Sequence, residues 1–269
     1  MTRQPDGYLH GHHDSVLRSH RWRTAENSAA FLLPHLSPTH RVLDVGCGPG
    51  TITLGLATRV PHGEVVGVDA SEEVLDQARS AAAREGRTNV AFETGDAYAL
   101  RFEAASFDVV FAHQLLQHLS DPPAALAELG RVCRPGGLVA ARDADYGAMF
   151  WYPASAELEE WRALYQKVAR AIGGEPDAGR RMLGWARSAG FRDVTASAGT
   201  WCFADPSSRD WWGRLWAERL TASRLAEHAR HHAGATPAEL ERLAAAFLRW
   251  AATEDACFVV PHGEVLCRG

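Results

Sequence analysis

Short, almost wholly apolar runs recur through the first half of the chain, each followed by a stretch with helical spacing. RVLDV (41–45), EVVGVD (64–69), VAFET (90–94), FDVVFA (107–112) and GLVAARDA (137–144) read as strands, rich in valine and other β-formers. Segments 51–59, 71–85 and 114–118 with 122–133 place apolar residues three and four apart and read as helices. Strands that are apolar on both faces and alternate with helices predict a parallel sheet covered on both sides. Ahead of them, 24–36 has helical spacing, with Thr24 as its N-cap and Ala30 and Leu33 on one face.

After Tyr146 the rhythm changes. Residues 155–172 and 176–190 read as helices, the first through Leu158, Trp161, Tyr165 and Val168. Residues 191–203 and 257–268 are strand candidates, and the stretch 208–256 between them is helical and too long for a loop. Trp212, Trp216 and Leu220 recur there every fourth residue, so one helix face is strongly aromatic. That face either packs on the sheet or walls a pocket, and different residues can serve each use.

Composition narrows the function classes. The formal charge is −5 over 269 residues, which argues against the concentrated basic surface of a nucleic-acid binder. No apolar run approaches the roughly 18 residues a membrane span needs. The polar, His-rich opening through Val16 has no apolar signal region, so a cytoplasmic protein is expected. Five cysteines show no CxxC or metal-finger spacing and are expected as buried thiols, with no metal site.

The chemistry concentrates where strands end. In VLDVGCGPG, Gly46, Gly48 and Gly50 follow one strand and precede a helix, where the lack of Cβ atoms lets a ligand approach the backbone. The spacing is GxGxG, whereas the dinucleotide fingerprint is GxGxxG. Asp69 ends the second strand, where a carboxylate can accept from both hydroxyls of a ribose. Gly95-Asp96-Ala97 ends the third, where a carboxylate can take an adenine amine and a backbone N–H a ring nitrogen. Open α/β sheets bind ligands at such strand ends, and together the three features predict an adenosine site.

These residues resemble the class I S-adenosylmethionine-dependent methyltransferases, in particular their UbiE-like small-molecule members. The resemblance runs in order through VLDVGCGPG, VVGVDAS (65–71), GDAYAL (95–100), FDVVFAHQLLQHLSDP (107–122) and RPGG (134–137), covering about residues 25–145. It implies a Rossmann-like, doubly wound sheet of seven mostly parallel strands, the last antiparallel, with a helical cap. It implies S-adenosyl-L-methionine as cofactor, with Gly46, Cys47 and Gly48 beside its methionine part, Asp69, Ala70 and Ser71 at the ribose, and Asp96 and Ala97 at the adenine. The backbone near Ala112 and His113 would meet the methionine amino group. Residues 1–40 would form a lid, 41–150 the cofactor core, and 151–269 the acceptor region with the last two strands. Arg23, in the lid, is matched by charge to the methionine carboxylate.

A methyltransferase moves the methyl to an acceptor, and a base helps where the nucleophile must lose a proton. Candidates at strand exits are His113, with His118 nearby, and Asp145 with Tyr146 after the fifth strand, where Asp143 also stands. Tyr8 and His20 belong to the lid, Tyr8 being placed at the acceptor. The aromatic residues past position 150, led by Trp151, Trp212 and Trp216, suggest a small apolar or aromatic acceptor such as a quinol, indole or polyketide. Two other readings are a nicotinamide-dependent oxidoreductase, disfavoured by GxGxG, and a protein that binds adenosylmethionine without transferring its methyl.

Overall fold

A computed structural model describes residues 22–268. The strands are β1 (Arg41–Val45), β2 (Glu64–Asp69), β3 (Val90–Thr94), β4 (Phe107–His113), β5 (Cys133–Ala144), β6 (Phe150–Tyr152), β7 (Asp193–Phe203) and β8 (Cys257–Arg268). They join in one sheet of order β3-β2-β1-β4-β5-β8-β6, with β7 paired to the other side of β8. The first five are mutually parallel, while β8 runs antiparallel to β5 and to β7.

The expected seven strands are present, and the short β6 makes an eighth. Its origin lies in the register. Leu138–Ala144 of β5 face His262–Arg268 of β8, which leaves the start of β8 open on that side. Phe150–Tyr152 fill the gap opposite Cys257–Val259. Three amide positions are too few to show as an alternating sequence pattern. RPGG bulges within β5: Phe107 faces Cys133 while Val109 faces Leu138, and Gly136 takes a φ of 73°.

Helices α1 (Ala25–Ser28), α2 (Thr51–Arg59), α3 (Glu72–Arg84) and α4 (Pro122–Val132) accompany the parallel strands, and α5 (Ala156–Ala171) and α6 (Met182–Ser188) follow them. The stretch expected as helix over 24–36 is only α1 and a 3₁₀ turn, Leu33–His35. Pro34 cannot donate to a continuing helix. Likewise 114–118 reduces to one 3₁₀ turn at Leu116–His118, after Gln114 with φ 49°. The insertion is α7 (Pro206–Ala222), α8 (Arg224–His228) and α9 (Pro237–Ala252). Each long helix starts with proline behind a capping side chain, Asp205 for α7 and Thr236 in a capping box with Glu239 for α9.

Two apolar clusters cover the parallel strands, one carrying Leu43, Val110 and Val139, the other Val42, Phe111 and Ala140. Alternate residues thus enter opposite layers, as the pleat requires. A third cluster joins the insertion to α5, β7 and β8 through Trp161, Tyr165, Phe203, Trp216, Phe247 and Phe258. Cys47, Cys133 and Cys267 are buried free thiols, whereas Cys202 is exposed. No helix among the described residues is long and apolar enough to cross a membrane.

Candidate active site

The loop after β1 is shaped by its own backbone. The N–H groups of Gly46 and Cys47 both donate to the Val68 carbonyl of β2, at 2.7 and 3.0 Å. Gly46 and Gly50 take φ values of 76° and 80°, in the left-handed region that side chains disfavour. At Gly50 a Cβ would also stand 2.9 Å from Ala78 and Phe92, so loop, α3 and β3 meet there without room for one. Asp69 ties the loop to the end of β2: Oδ2 accepts from the Gly48 N–H at 2.9 Å and Oδ1 from the Ser71 N–H at 3.0 Å. Asp96 similarly accepts from the Tyr98 N–H at 2.9 Å.

These ends open on a cavity of about 920 Å³. Gly46, Cys47, Gly48, Asp69, Ala70, Ser71, Asp96 and Ala97 all line it, and so do Arg23, His113 and Tyr146. Its size lies toward the top of the roughly 300–1,000 Å³ usual for small-molecule sites. Asp44, which sequence reasoning missed, also lines it. Burial pushes the Asp44 carboxyl up to about 7, although Thr53 Oγ1 donates to it at 2.6 Å and the Asp69 charge adds to the rise. A charged residue inside the apolar run RVLDV was the available signal. Burial, then the neighbouring Asp44 and Asp69, also hold the Cys47 thiol well above its ordinary range.

The other end is built around β4 and β5. His113 Nε2 accepts from Arg142 Nη1 at 3.0 Å, since a guanidinium can only donate. Arg142 is ion-paired to Glu264 at 3.1 Å, and Ser197 Oγ donates to the other Glu264 oxygen at 2.9 Å. A permanent cation therefore occupies the Nε2 lone pair, which suits His113 poorly to accepting a proton there. His118 is pushed down to about 3, by burial first and then by Arg23 and Arg219, so it is neutral near pH 7. Asp143 is fully buried and raised to about 7 by that burial, while the N–H groups of Gln117 and Leu116 donate to it at 3.3 and 3.2 Å. Tyr146 stacks on Tyr165 with ring centroids 3.9 Å apart, and burial raises its phenol.

Four expected site residues stand elsewhere. The Asp145 carboxylate is held by Arg180, through Nε at 2.7 Å and Nη2 at 2.6 Å, and it also accepts from the Ala148 N–H. It closes a turn and does not line the cavity. Trp212 and Trp216 are buried in the aromatic cluster, stacked on Phe203 and Phe247, and Trp151 stacks on Phe258 at 5.3 Å. Their helical spacing marks the face that packs inward. Arg219, three positions past Trp216, is the insertion's residue on the cavity wall. Tyr8 and His20 lie outside the described residues.

A methyltransferase-domain family matches residues 36–205, more than half of the chain. The chain belongs to that family, as a class I methyltransferase. An uncharacterized methyltransferase of Schizosaccharomyces pombe is 39% identical over 269 residues, covering 96% of this chain and 95% of its own. A probable methyltransferase of Aspergillus luteorubrus, ltbC, is 32% identical and covers 98% of each chain. Among solved structures, YcgJ of Bacillus subtilis matches with a TM-score of 0.57 at 19% identity, covering 89% of this chain and 96% of its own. A phosphoethanolamine N-methyltransferase of Haemonchus contortus, solved with S-adenosylhomocysteine, matches with a TM-score of 0.56 at 20% identity, covering 89% and 52%. At those identities the two solved structures speak for the fold of this methyltransferase.

Proposed function

We propose that the protein transfers a methyl group from S-adenosyl-L-methionine to a small-molecule acceptor, within the UbiE-like branch of the family. The observation that carries this reading is the acid-lined glycine loop: Asp44 and Asp69 stand close enough beside Cys47 that both help to raise its thiol, and the Asp69 charge helps to raise Asp44. Carboxylates there would repel the pyrophosphate of a dinucleotide and suit a ligand bearing an ammonium and a sulfonium. Bound adenosylmethionine supplies an electrophilic methyl, so the protein need not create the reactive carbon.

The chain's own part is to bind, align and exclude water. Gly46 and Gly48 would admit the methionine part to the backbone, and Asp69 would accept from the ribose hydroxyls with the oxygen lone pairs left after Gly48 and Ser71. Asp96 and Ala97 would hold the adenine, and Arg23 the methionine carboxylate. Of the residues expected to act on the acceptor, His113 and Tyr146 remain candidates on the cavity wall. Arg142 makes His113 more suited to orienting the acceptor than to deprotonating it, so alignment carries most of the rate. The test is calorimetry with S-adenosylhomocysteine and with NAD. Saturable binding of the first and none of the second is expected, and the reverse would overturn the assignment.

A further inference from the structure

Gln114 directly follows β4 and stands on the cavity wall. Its φ of 49° is costly for a residue with a Cβ, and such backbone persists only where the surroundings hold it. Here the Gln114 N–H donates to the Arg142 carbonyl of β5 at 2.8 Å. The side chain reaches in the same direction, its Nε2 standing 2.9 Å from Nε2 of His262 on β8.

His262 decides which way round that amide sits. Its ring is 1% exposed, with its centroid 4.4 Å from that of Trp201, and its Nδ1 stands 2.9 Å from the Val260 carbonyl oxygen. A carbonyl only accepts, so Nδ1 carries the proton. Burial, then the charge of Arg142, hold the imidazole well below its ordinary range, so it is neutral and Nε2 keeps its lone pair. The Gln114 amide must then present an N–H to His262 and turn its oxygen elsewhere. That oxygen accepts no hydrogen bond among the described residues, and unlike the sealed Gln117 oxygen it keeps accessible surface. It is an open acceptor on a half-buried residue of the cavity.

The sheet order separates this amide from the cofactor acids. Asp69 and Asp96 stand where β2 and β3 end, on one side of β1, whereas Gln114 leans from β4 across β5 toward β8 on the other. An amide oxygen can orient a hydrogen but cannot remove it, and the titratable neighbours are poor bases. Arg142 holds the His113 Nε2 lone pair, and His118 is held down to about 3. Tyr146, raised by burial, keeps its proton. Such a wall suits a nucleophile that attacks before it loses a proton, which a neutral amine does and a hydroxyl does not.

Resting on the methyltransferase reading, we propose that Gln114 orients the acceptor's nucleophile and that this nucleophile is a neutral amine. The amine N–H donates to Gln114 Oε1, which fixes the direction of the nitrogen lone pair. That lone pair forms the new N–C bond as the methyl's bond to sulfur breaks, and the ammonium product gives its extra proton to water. His262 is a positioning residue: it holds the amide in the one orientation that offers oxygen.

The test uses the full chain at mildly alkaline pH with aniline, benzylamine and tryptamine, each beside its hydroxyl counterpart and its N,N-dimethyl form. With the chain saturated with S-adenosylhomocysteine, calorimetry should find at least one amine bound about tenfold or more tighter than its N,N-dimethyl form. With S-adenosyl-L-methionine, mass spectrometry should find the methyl on that amine's nitrogen and none on the matching alcohol. Gln114→Leu should erase the binding gap and lower turnover about 10–100-fold, with affinity for S-adenosylhomocysteine held. His262→Phe should lower turnover while that affinity also holds, and adding it to Gln114→Leu should cost nothing further, since His262 acts only through the amide. A nitrogen NMR spectrum of the parent should show Nδ1 protonated in the signal that His262→Phe removes. Alcohols methylated in place of amines, no amine bound, a gap that survives in Gln114→Leu, additive losses in the double variant, or a His262 proton on Nε2 would each overturn the proposal. The amine comparisons need no variant, so they stand even if Gln114→Leu fails to fold. Failure of the parent to bind S-adenosylhomocysteine would instead count against the methyltransferase reading itself.

Discussion

Asp143 makes folding stability depend on pH in a direction that can be fixed in advance. Its carboxyl is fully buried against the turn at Leu116–His118, and burial raises it from the ordinary 3.8 to about 7. The two N–H donors and the charges of Arg23 and Arg142 pull the other way without restoring the ordinary value. The folded protein thus keeps this proton to higher pH than the unfolded chain does. Between the two values the unfolded chain binds fewer protons, so stability falls as pH rises from about 4 to about 7 and flattens above. A gap of about three units at about 1.36 kcal/mol each is worth about 4 kcal/mol over the whole range. About 2–3 kcal/mol of it should fall between about pH 5 and pH 8. Asp143→Asn removes the proton but keeps the shape. Its amide loses one of the two N–H contacts, at a pH-independent cost of roughly 1–3 kcal/mol. The readout is therefore the difference between variant and parent in urea unfolding at several pH values. Asp44, also raised to about 7, and His118, which acts with the opposite sign, are present in both proteins and cancel. The variant should gain about 2–3 kcal/mol on its parent from about pH 5 to pH 8. Parallel profiles would refute the burial argument.

Three further outcomes follow from the same geometry. Asp69→Ala strips the Gly48 and Ser71 N–H groups of their acceptor and should weaken S-adenosylhomocysteine by about 1.5–3 kcal/mol, so unchanged affinity by calorimetry in a folded variant would remove Asp69 from the site. His113→Gln should lower turnover by less than about tenfold, because Arg142 already occupies Nε2; a loss of about 10²–10⁴-fold with a vanished pH limb would make His113 the base after all. Trp216→Ala should cost about 3–5 kcal/mol in thermal or urea unfolding while cofactor affinity holds, since the ring is fully buried between Trp161 and Phe247; an intact melting temperature with a raised acceptor KM would return it to the pocket.

The sheet was legible because most of its parallel strands are apolar on both faces, and because β1, β2 and β3 run into Gly46, Asp69 and Gly95. Those punctuation marks set where each strand stops, and in an open parallel sheet the stopping point is also the ligand edge. Gly46, Asp69 and Asp96 could therefore be placed on one cavity from sequence position alone. Periodicity is less informative past Tyr146. Helical spacing shows that Trp212 and Trp216 share a face, but a face that packs inward and one that lines a pocket have the same spacing. The structure separates them through Arg219, which shares the Trp216 side of α7 and lies with its guanidinium carbon 5.1 Å from that ring's centroid. An arginine buried on the apolar side of a helix is costly unless something negative or polar faces it. Asp44 inside β1 and Arg219 on α7 are thus informative for the same reason. Each interrupts an apolar pattern that the fold alone would have kept, and each lines the cavity.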